Sequence, residues 1–535
     1  MTAPLRWSLA WSWGGESGTV ADVQVTLTER AGLFGSEPGI RKAVVECVID
    51  IDVAAMANRT HPRSGLATLY ANGLIVIDGS WTSFSYDPTG SSSGRTRVSI
   101  ALGDSDADDR GEFPPSVVWS PAPGSLYVSR LQRATWAEQK AAIEDAYDSY
   151  GILSPIDTTV EAFLTEESFG DAPTITKGQS WPWVYGAPGN GSLVFAGSPA
   201  WITYVNVGDP EILMVAGHAV TASTVTILGP PSTGSDDLVA ETGVPVLTTT
   251  TPSGRVYSYV EVDPVGTPWS NVVSDLTKRY YVAWDDGEAQ PGGAGDVLAT
   301  IYALSSNRVD VQAWRAAAPT LNRYTLAGYV DRTSSPSEYA RNVLLPMLPV
   351  SVIPGGFGHR PGIWPWLEAG TAPSGPRVVA GQGVVADGAV EYRSLVSEIR
   401  RLVVRYGRRA DTDGLIGAAS AGRGSSAYGA QPGPLASSET WEADCVWSAG
   451  TASALAELHY RTQSWAPRIR ALMVTDWTRY GPGGDAELYP GREVRYTDPA
   501  CGWTDRAAVV VEVESSATSR RVTLWLRDDP LTDVA

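Results

Sequence analysis

The sequence predicts a mainly β, multidomain protein: several barrel or sandwich domains with one small α/β insert. Three observations predict it. Gly 55, Pro 37 and Trp 20 stand beside only 7 Phe and 5 Met, a composition suited to short strands and turns rather than long helices. Apolar and small polar residues alternate from the first strand, where Ser8, Ala10 and Ser12 separate Trp7, Leu9, Trp11 and Trp13. The 535 residues suffice for roughly three or four domains.

Residues 1–130 are expected to form an antiparallel β domain. After the Trp-rich strand come candidates at Val23 to Thr28, Ala43 to Ile51, Ala67 to Ile77 and Thr96 to Leu102, punctuated by Gly, Pro and Asp. Beyond a linker-like stretch around Pro121 to Gly124, residues 131–153 read as a helical connector. Thr135 and Glu138 form a capping box, Trp136 to Tyr150 the helix, and Gly151 its stop. Residues 154–290 return to β, with Trp181 to Gly186, Ile212 to Val220, Ser223 to Leu228 and Val256 to Val262 as strands.

Residues 291–375 are the α/β insert. A helix begins near Asp296, a polar loop carries Trp314, a short Tyr-rich strand follows, and a second helix opens at Pro336. Ser335 caps that helix, Pro336 occupies its first position and Glu338 completes a capping box. Residues 376–535 are expected to be a C-terminal β-barrel. They hold an Arg-rich strand from Glu398 to Arg409, a long Gly/Ser/Ala loop at 410–438, a helix from Thr451 to Thr462, and closing strands that include Tyr489 to Val513.

Forty Lys and Arg against 59 Asp and Glu give a net charge of −19, so the chain as a whole should repel nucleic acid and anionic membrane. Cys47, Cys445 and Cys501 lack zinc-site spacing and are expected to be small hydrophobes in a cytosol-made protein, without a disulfide framework. The segment after Met1 lacks a signal-peptide core, and no run approaches the ~20 apolar residues of a membrane span. The expectation is a soluble chain that leaves its host by lysis or another non-secretory route.

The order of parts carries a resemblance. Gly328 to Asp331 (G-Y-V-D) precedes the capped helix and Leu344 to Ser351 (L-L-P-M-L-P-V-S) follows it. Upstream lie Trp181 to Gly186, a turn with Gly217 and His218, and the Thr224 to Gly229 strand; downstream, Tyr489 to Val513 carries a G-x-x-V-x-x-T-D turn. This order resembles the hub proteins at the tip of bacteriophage tails, related to hubs of contractile injection systems. The resemblance spans Ser154 to Asp529, is densest from Asp296 onward, and leaves residues 1–150 outside it.

It implies a non-enzymatic virion protein of the tail tip or baseplate, made in the host cytoplasm. In such hubs, tube-like β domains of three copies form a pseudo-sixfold ring joining a sixfold tube to threefold spike machinery. The implied partners are two further copies of the chain, a tail tube or distal tail protein, and a spike or fibre protein. Genomic DNA passes without specific binding, and no cofactor or metal is implied.

The residues offer traces of other chemistries. Gly103, Asp104 and Ser105 match an esterase GDS motif, but no Asp-x-x-His follows, because Ala456 stands three residues before His459; an acidic loop is preferred. Gly90 to Gly94 matches G-x-S-x-G formally and reads as a turn. Gly229 to Ser235 has no lysine for phosphates and two prolines that remove backbone donors. His61, His218, His359 and His459 show no metal-ligand spacing and are expected to be structural.

Trp181, Trp183, Trp364 and Trp366, with Asp285, Asp286 and Glu288, would suit a carbohydrate-active tail or surface protein, the main alternative. A receptor-binding fibre component is a further one. Arg400, Arg401, Arg405, Arg408 and Arg409 are the candidate inter-subunit contacts, expected to meet Asp or Glu of a neighbouring subunit rather than a nucleic-acid groove.

Overall fold

The computed structural model describes residues 6–13, 15–31, 40–51, 65–92, 94–105, 113, 183–188, 202–203, 211–229, 239–250, 256–262, 281–284, 288–305, 309–330, 334–353, 359–363, 375–392, 399–408, 414–422, 437–463, 468–516 and 518–526. It is mostly β, in several separate sheets with few helices. The expected helix at Trp136 to Tyr150 lies outside the described residues.

The N-terminal strands form a two-layer sandwich. Trp7–Trp13 buries Trp7, Leu9, Trp11 and Trp13, as its alternation requires, and lies between Glu16–Ala21 and Leu66–Ala71. The expected strand from Ala67 to Ile77 is instead a hairpin: Asn72 (φ 49°) and Gly73 (φ 82°) turn the chain, the residue pair such a tight turn favours. Leu74–Ser92 then changes layer. Its first part pairs with Leu66–Ala71, while from Trp81 onward it pairs with Arg95–Ser105 in the second layer. Trp13, Trp81 and Phe84 meet at ring separations of 4.9–5.6 Å where the layers close.

The second layer does not stop at the sandwich. Arg95–Ser105 pairs with Ile40–Ile49, which pairs with Gln24–Arg30, and that strand pairs antiparallel with Trp503–Ser516 near the other end of the chain, from Thr26 opposite Ser516 to Arg30 opposite Glu512. Arg520–Leu526, Arg468–Val474 and Val384–Tyr392 continue the layer. Buried charge sits at this seam. Arg41 Nη2 donates to Glu29 Oε1 at 2.5 Å, and Arg520 donates to Ser515 Oγ at 2.9 Å and to the Leu488 carbonyl at 2.6 Å.

A third region holds four of the helices: α1 (Ala294–Ala303), α2 (Val311–Leu321), α3 (Pro336–Tyr339) and α4 (Ala449–Gln463). Trp314, expected in a polar loop, lies in α2. Asp310 caps this helix by accepting the Ala313 N–H, and Trp314 is fully buried, stacked on Tyr302 at 4.3 Å with its indole N–H donating to the His359 carbonyl at 3.3 Å. Pro319 near the end of α2 and the polar residues before it hide the helix from pattern reading. Ser335 caps α3 as expected, accepting the Glu338 N–H at 3.1 Å, but the helix then widens, with Leu345 N–H donating to the Ala340 carbonyl.

Packing crosses the expected segment boundaries. Ile399–Arg408, with Leu415–Gly422 antiparallel on one side and Ser437–Ala443 parallel on the other, buries Leu402 and Val404 in the same core as α1, α2 and α4. The remaining C-terminal strands form their own core under the joined sheet. The expected loop at 410–438 is therefore strand over Leu415–Gly422 and again from Ser437. Residues 423–436 lie outside the described residues.

His459 lies in the middle of α4, fully buried, with Nε2 2.6 Å from the Met347 carbonyl. Burial lowers its pKa to about 4, against the raising effect of that hydrogen bond. The unfolded chain therefore takes up the proton first. The stability is fully present above about pH 6.5 and is lost as pH falls towards 4, by about 3 kcal/mol at most. Unfolding midpoints from pH 7.5 to 4 should show this loss in the native chain and a flatter profile in His459→Gln. Equal slopes would mean that His459 titrates alike in both states.

Candidate functional site

The joined layer is the largest surface that the sequence could not have placed. From Trp81 to Tyr392 it is eight strands wide: four from the N-terminal block (the second part of Leu74–Ser92, Arg95–Ser105, Ile40–Ile49, Gln24–Arg30) and four from the C-terminal block (Trp503–Ser516, Arg520–Leu526, Arg468–Val474, Val384–Tyr392). One face covers the two cores; the other carries the exposed charges and a small buried apolar cluster of Val509, Val511 and Trp525 with Ile469 against it. On this second face charges are largely paired: Arg97 with Glu46 at 3.4 Å, and Arg521 with Asp387 at 2.8 Å and Glu514 at 3.9 Å. Such exposed pairs add little stability, but they leave this face without a basic stripe.

The candidate arginines behave differently. Arg408 donates to Glu442 at 2.6 Å and to Asp444 at 2.9 Å, and Arg405 lies 3.9 Å from Glu442. Those carboxylates lie on or next to Ser437–Ala443, the parallel neighbour of the arginine strand, so Arg405 and Arg408 have carboxylate partners within their own chain. Arg401 is exposed and donates to Ser420 Oγ at 3.3 Å. Arg409 and the side chain of Arg400 lie outside the described residues. The structure thus brings Arg405 and Arg408 to one carboxylate, where they form a charge ladder along the strand.

The W-P-W-V-Y-G segment and the His turn meet. His218 Nε2 accepts the Val184 N–H at 3.0 Å and Nδ1 lies 2.9 Å from the Ala219 carbonyl; the first contact requires the tautomer with its proton on Nδ1. Burial lowers the His218 pKa against these two hydrogen bonds. Trp183 packs 4.9 Å from the His218 ring and 5.7 Å from Phe113. It is therefore packing, not an open sugar platform. Trp181, Trp364, Trp366, Asp285 and Asp286 lie outside the described residues, and Glu288 accepts the Gly292 N–H in a turn.

Gly103 to Ser105 stay inside a strand, with Ser105 opposite Ile40, rather than forming a nucleophile turn. Gly90 to Ser92 end the Leu74–Ser92 strand, with Ser92 opposite Arg95, and Ser93 lies outside the described residues. His61 and the residues after Gly229 in the proline-bearing loop lie outside the described residues. Cys47 and Cys445 are buried and Cys501 partly so.

One polar cluster escaped sequence reading. Asp498 accepts from Arg470 at 3.1 Å, from the Tyr496 hydroxyl at 3.0 Å and from the Ala500 N–H at 3.0 Å, and Cys501 Sγ lies 3.6 Å away. Burial alone would raise its pKa, but these donors prevail and hold it below the ordinary carboxylate range. Asp498 is the aspartate of the T-D turn, so the signal was present in the motif without its partner Arg470. The cluster fixes a turn.

No protein-family model matches the chain, and no curated protein matches it. Among solved structures, it is similar to the 43 kDa tail protein of prophage MuSo2 from Shewanella oneidensis at 11% identity and a TM-score of 0.34, over 98% of this chain and 99% of that one. It is similar to the tail protein from Neisseria meningitidis MC58 at 9% identity and a TM-score of 0.37, over 98% and 97%. Both are tail proteins. A chain of the virion of a native gene transfer agent particle is similar at 12% identity and a TM-score of 0.34, over 60% of this chain and 78% of that one. TM-scores below 0.5 carry neither a fold nor a role across, so the strand layer has to support its own interpretation. No helix among the described residues is long and apolar enough to cross a membrane.

Proposed function

We propose that this chain is a structural protein of a phage tail, the hub of a tail tip or baseplate that closes the tube and adapts it to threefold spike or fibre machinery. One observation carries the reading: two four-stranded blocks from opposite ends of the chain join edge to edge into one eight-stranded layer. A sixfold tube meets threefold machinery most simply through a subunit that presents two similar blocks side by side, so that three copies offer six. Three layers of eight strands make twenty-four. At ~4.8 Å between strands and the tilt usual in closed barrels, that ring would be about 40 Å or more across its backbone. With the charge-bearing face towards the axis, the paired arginines would leave no run of free cations to grip a passing duplex, whose attraction to basic surfaces grows with each phosphate contact. The role needs geometry and no catalytic group.

Mass measurement of assembled particles, with averaged end-on images, tests this. Three copies per tail around a central opening are expected; one or six copies, or no ring, would remove the hub reading.

A further inference from the structure

We propose that Arg360, Arg492 and the Tyr489 ring they share form a recognition site for a pair of carboxylates on an extended segment of another protein. The parts come from different regions of the chain. Arg360 opens Arg360–Ile363, the antiparallel partner of Val350–Ile353, whereas Tyr489 and Arg492 lie just before Glu493–Asp498. Close packing holds the two regions together: a Cβ at Gly491 would overlap Ile353 Cδ1, and one at Gly362 would overlap the same atom. Gly491 has φ +83°, and its N–H donates to the Val510 carbonyl at 2.6 Å. The loop that carries Tyr489 and Arg492 is thus fixed before any partner arrives, which lowers the cost of binding.

Charge carries the second step. Arg97, Arg377, Arg408, Arg470 and Arg521 each face a carboxylate of their own chain. Arg360 and Arg492 do not. Their guanidinium carbons lie 4.3 and 5.2 Å from the Tyr489 ring centroid; among the described residues Arg360 makes no hydrogen bond or ion pair, and Arg492 donates only to the Glu487 carbonyl, at 2.5 Å. The Glu487 carboxylate accepts the Gly483 N–H instead, and the Tyr489 hydroxyl has no partner among the described residues. All three side chains are half-buried. In a chain with 59 Asp and Glu, two partly desolvated cations without a counter-charge are an unmet demand for anions. A guanidinium held against an aromatic ring keeps its in-plane N–H groups available, and these match the two oxygens of a carboxylate. Both carbons are close to one ring, so they lie within about 10 Å of each other. Carboxylates on alternate residues of an extended segment stand ~7 Å apart, so one segment can reach both. The net charge of −19 disfavours a dense polyanion such as a duplex, whereas two carboxylates on an otherwise neutral or basic protein meet no such barrier.

The site does not depend on the ring, so it is tested on the full-length chain in solution. The probe is a fluorescein-labelled peptide with glutamates at two alternate positions among glycines, titrated at low salt and followed by anisotropy. Saturable binding is expected, weakened about tenfold or more by Arg360→Gln and separately by Arg492→Gln. Tyr489→Leu keeps both charges and should still weaken binding, because the ring that holds the guanidiniums is gone. Arg6→Gln removes the same charge at an exposed position and should leave the affinity within about twofold. Circular dichroism and unfolding midpoints check that each variant is folded. For any variant that is not, modification of the unsubstituted chain by an arginine-specific dicarbonyl gives the answer: the peptide should protect both Arg360 and Arg492, and protection of neither would count against the site. An absence of saturable binding, or equal affinities across the arginine variants and Arg6→Gln, would overturn the proposal. Stronger competition by inorganic phosphate or a short DNA duplex than by unlabelled peptide would also overturn it, because the site would then select phosphate.

Discussion

Gly186→Ala should cost about 4 kcal/mol or more, placing it among the largest single-residue losses in the chain. Two requirements coincide at this glycine. Its φ is +64°, where a side chain costs roughly 1–2 kcal/mol, and a Cβ would overlap the Leu326 carbonyl oxygen and press on Ala327. The contact cannot open cheaply. The Gly186 N–H donates to the Gln290 carbonyl, its own carbonyl accepts the Ala289 N–H, and Leu326 N–H is held by Gly292. Gly73→Ala is the comparison, since Gly73 has φ +82° but nothing within 4 Å of the added methyl, so only the backbone penalty remains. Thermal or denaturant midpoints of the two variants should therefore differ widely. Equal losses would show that backbone strain, and not close approach, explains the glycine that ends the W-P-W-V-Y-G segment.

That glycine also shows what was legible in the sequence. Local rules read correctly wherever a residue acts on its own neighbours: the alternation from Trp7 to Trp13, the Ser335 cap, and the extents of Ile399–Arg408 and α4 to within a few residues. The segment with Gly186 and the turn with His218 are visible as separate parts of the sequence, but the bond between Val184 N–H and His218 Nε2 needs the fold. Illegible were the features made by distant pairing. Leu415–Gly422 is built of small residues that suggest a loop, and only its backbone bonds to Ile399–Arg408 make it a strand. The carboxylates that meet Arg408 are equally hidden, because Glu442 and Asp444 are far along the chain and only parallel pairing brings them alongside. Above all, an edge strand does not encode which edge it will meet, so the union of Gln24–Arg30 with Trp503–Ser516 had no local signal.

Glu29→Gln at that union should destabilise the chain by about 3–5 kcal/mol, the usual consequence of leaving buried charge without its partner. Glu29 is 4% exposed and Arg41 and Arg520 are 9% and 1% exposed. Two buried cations thus share one buried carboxylate, with the half-buried Glu487 as a weaker source of attraction. Burial pulls the Arg520 pKa below its ordinary value against the pull of both glutamates, while Arg41 pushes the same way as burial. Arg41 Nε and Nη1 and Arg520 Nε have no hydrogen-bond partner among the described residues. The cluster is therefore cation-rich, which gives the prediction its direction. Arg41→Leu removes a surplus charge and leaves Glu29 to Arg520, so it should cost clearly less than Glu29→Gln, although both break the same 2.5 Å ion pair. A pair that mattered only through its own attraction would give equal losses. Hydrogen exchange at the amides of Gln24–Arg30 provides the local readout: Glu29→Gln should release protection in the strand that pairs with Trp503–Ser516 and less in Leu66–Ala71, which lies in the other layer of the sandwich. Equal losses for the two substitutions, or protection lost evenly across both layers, would mean that the buried charges do not hold the two blocks together.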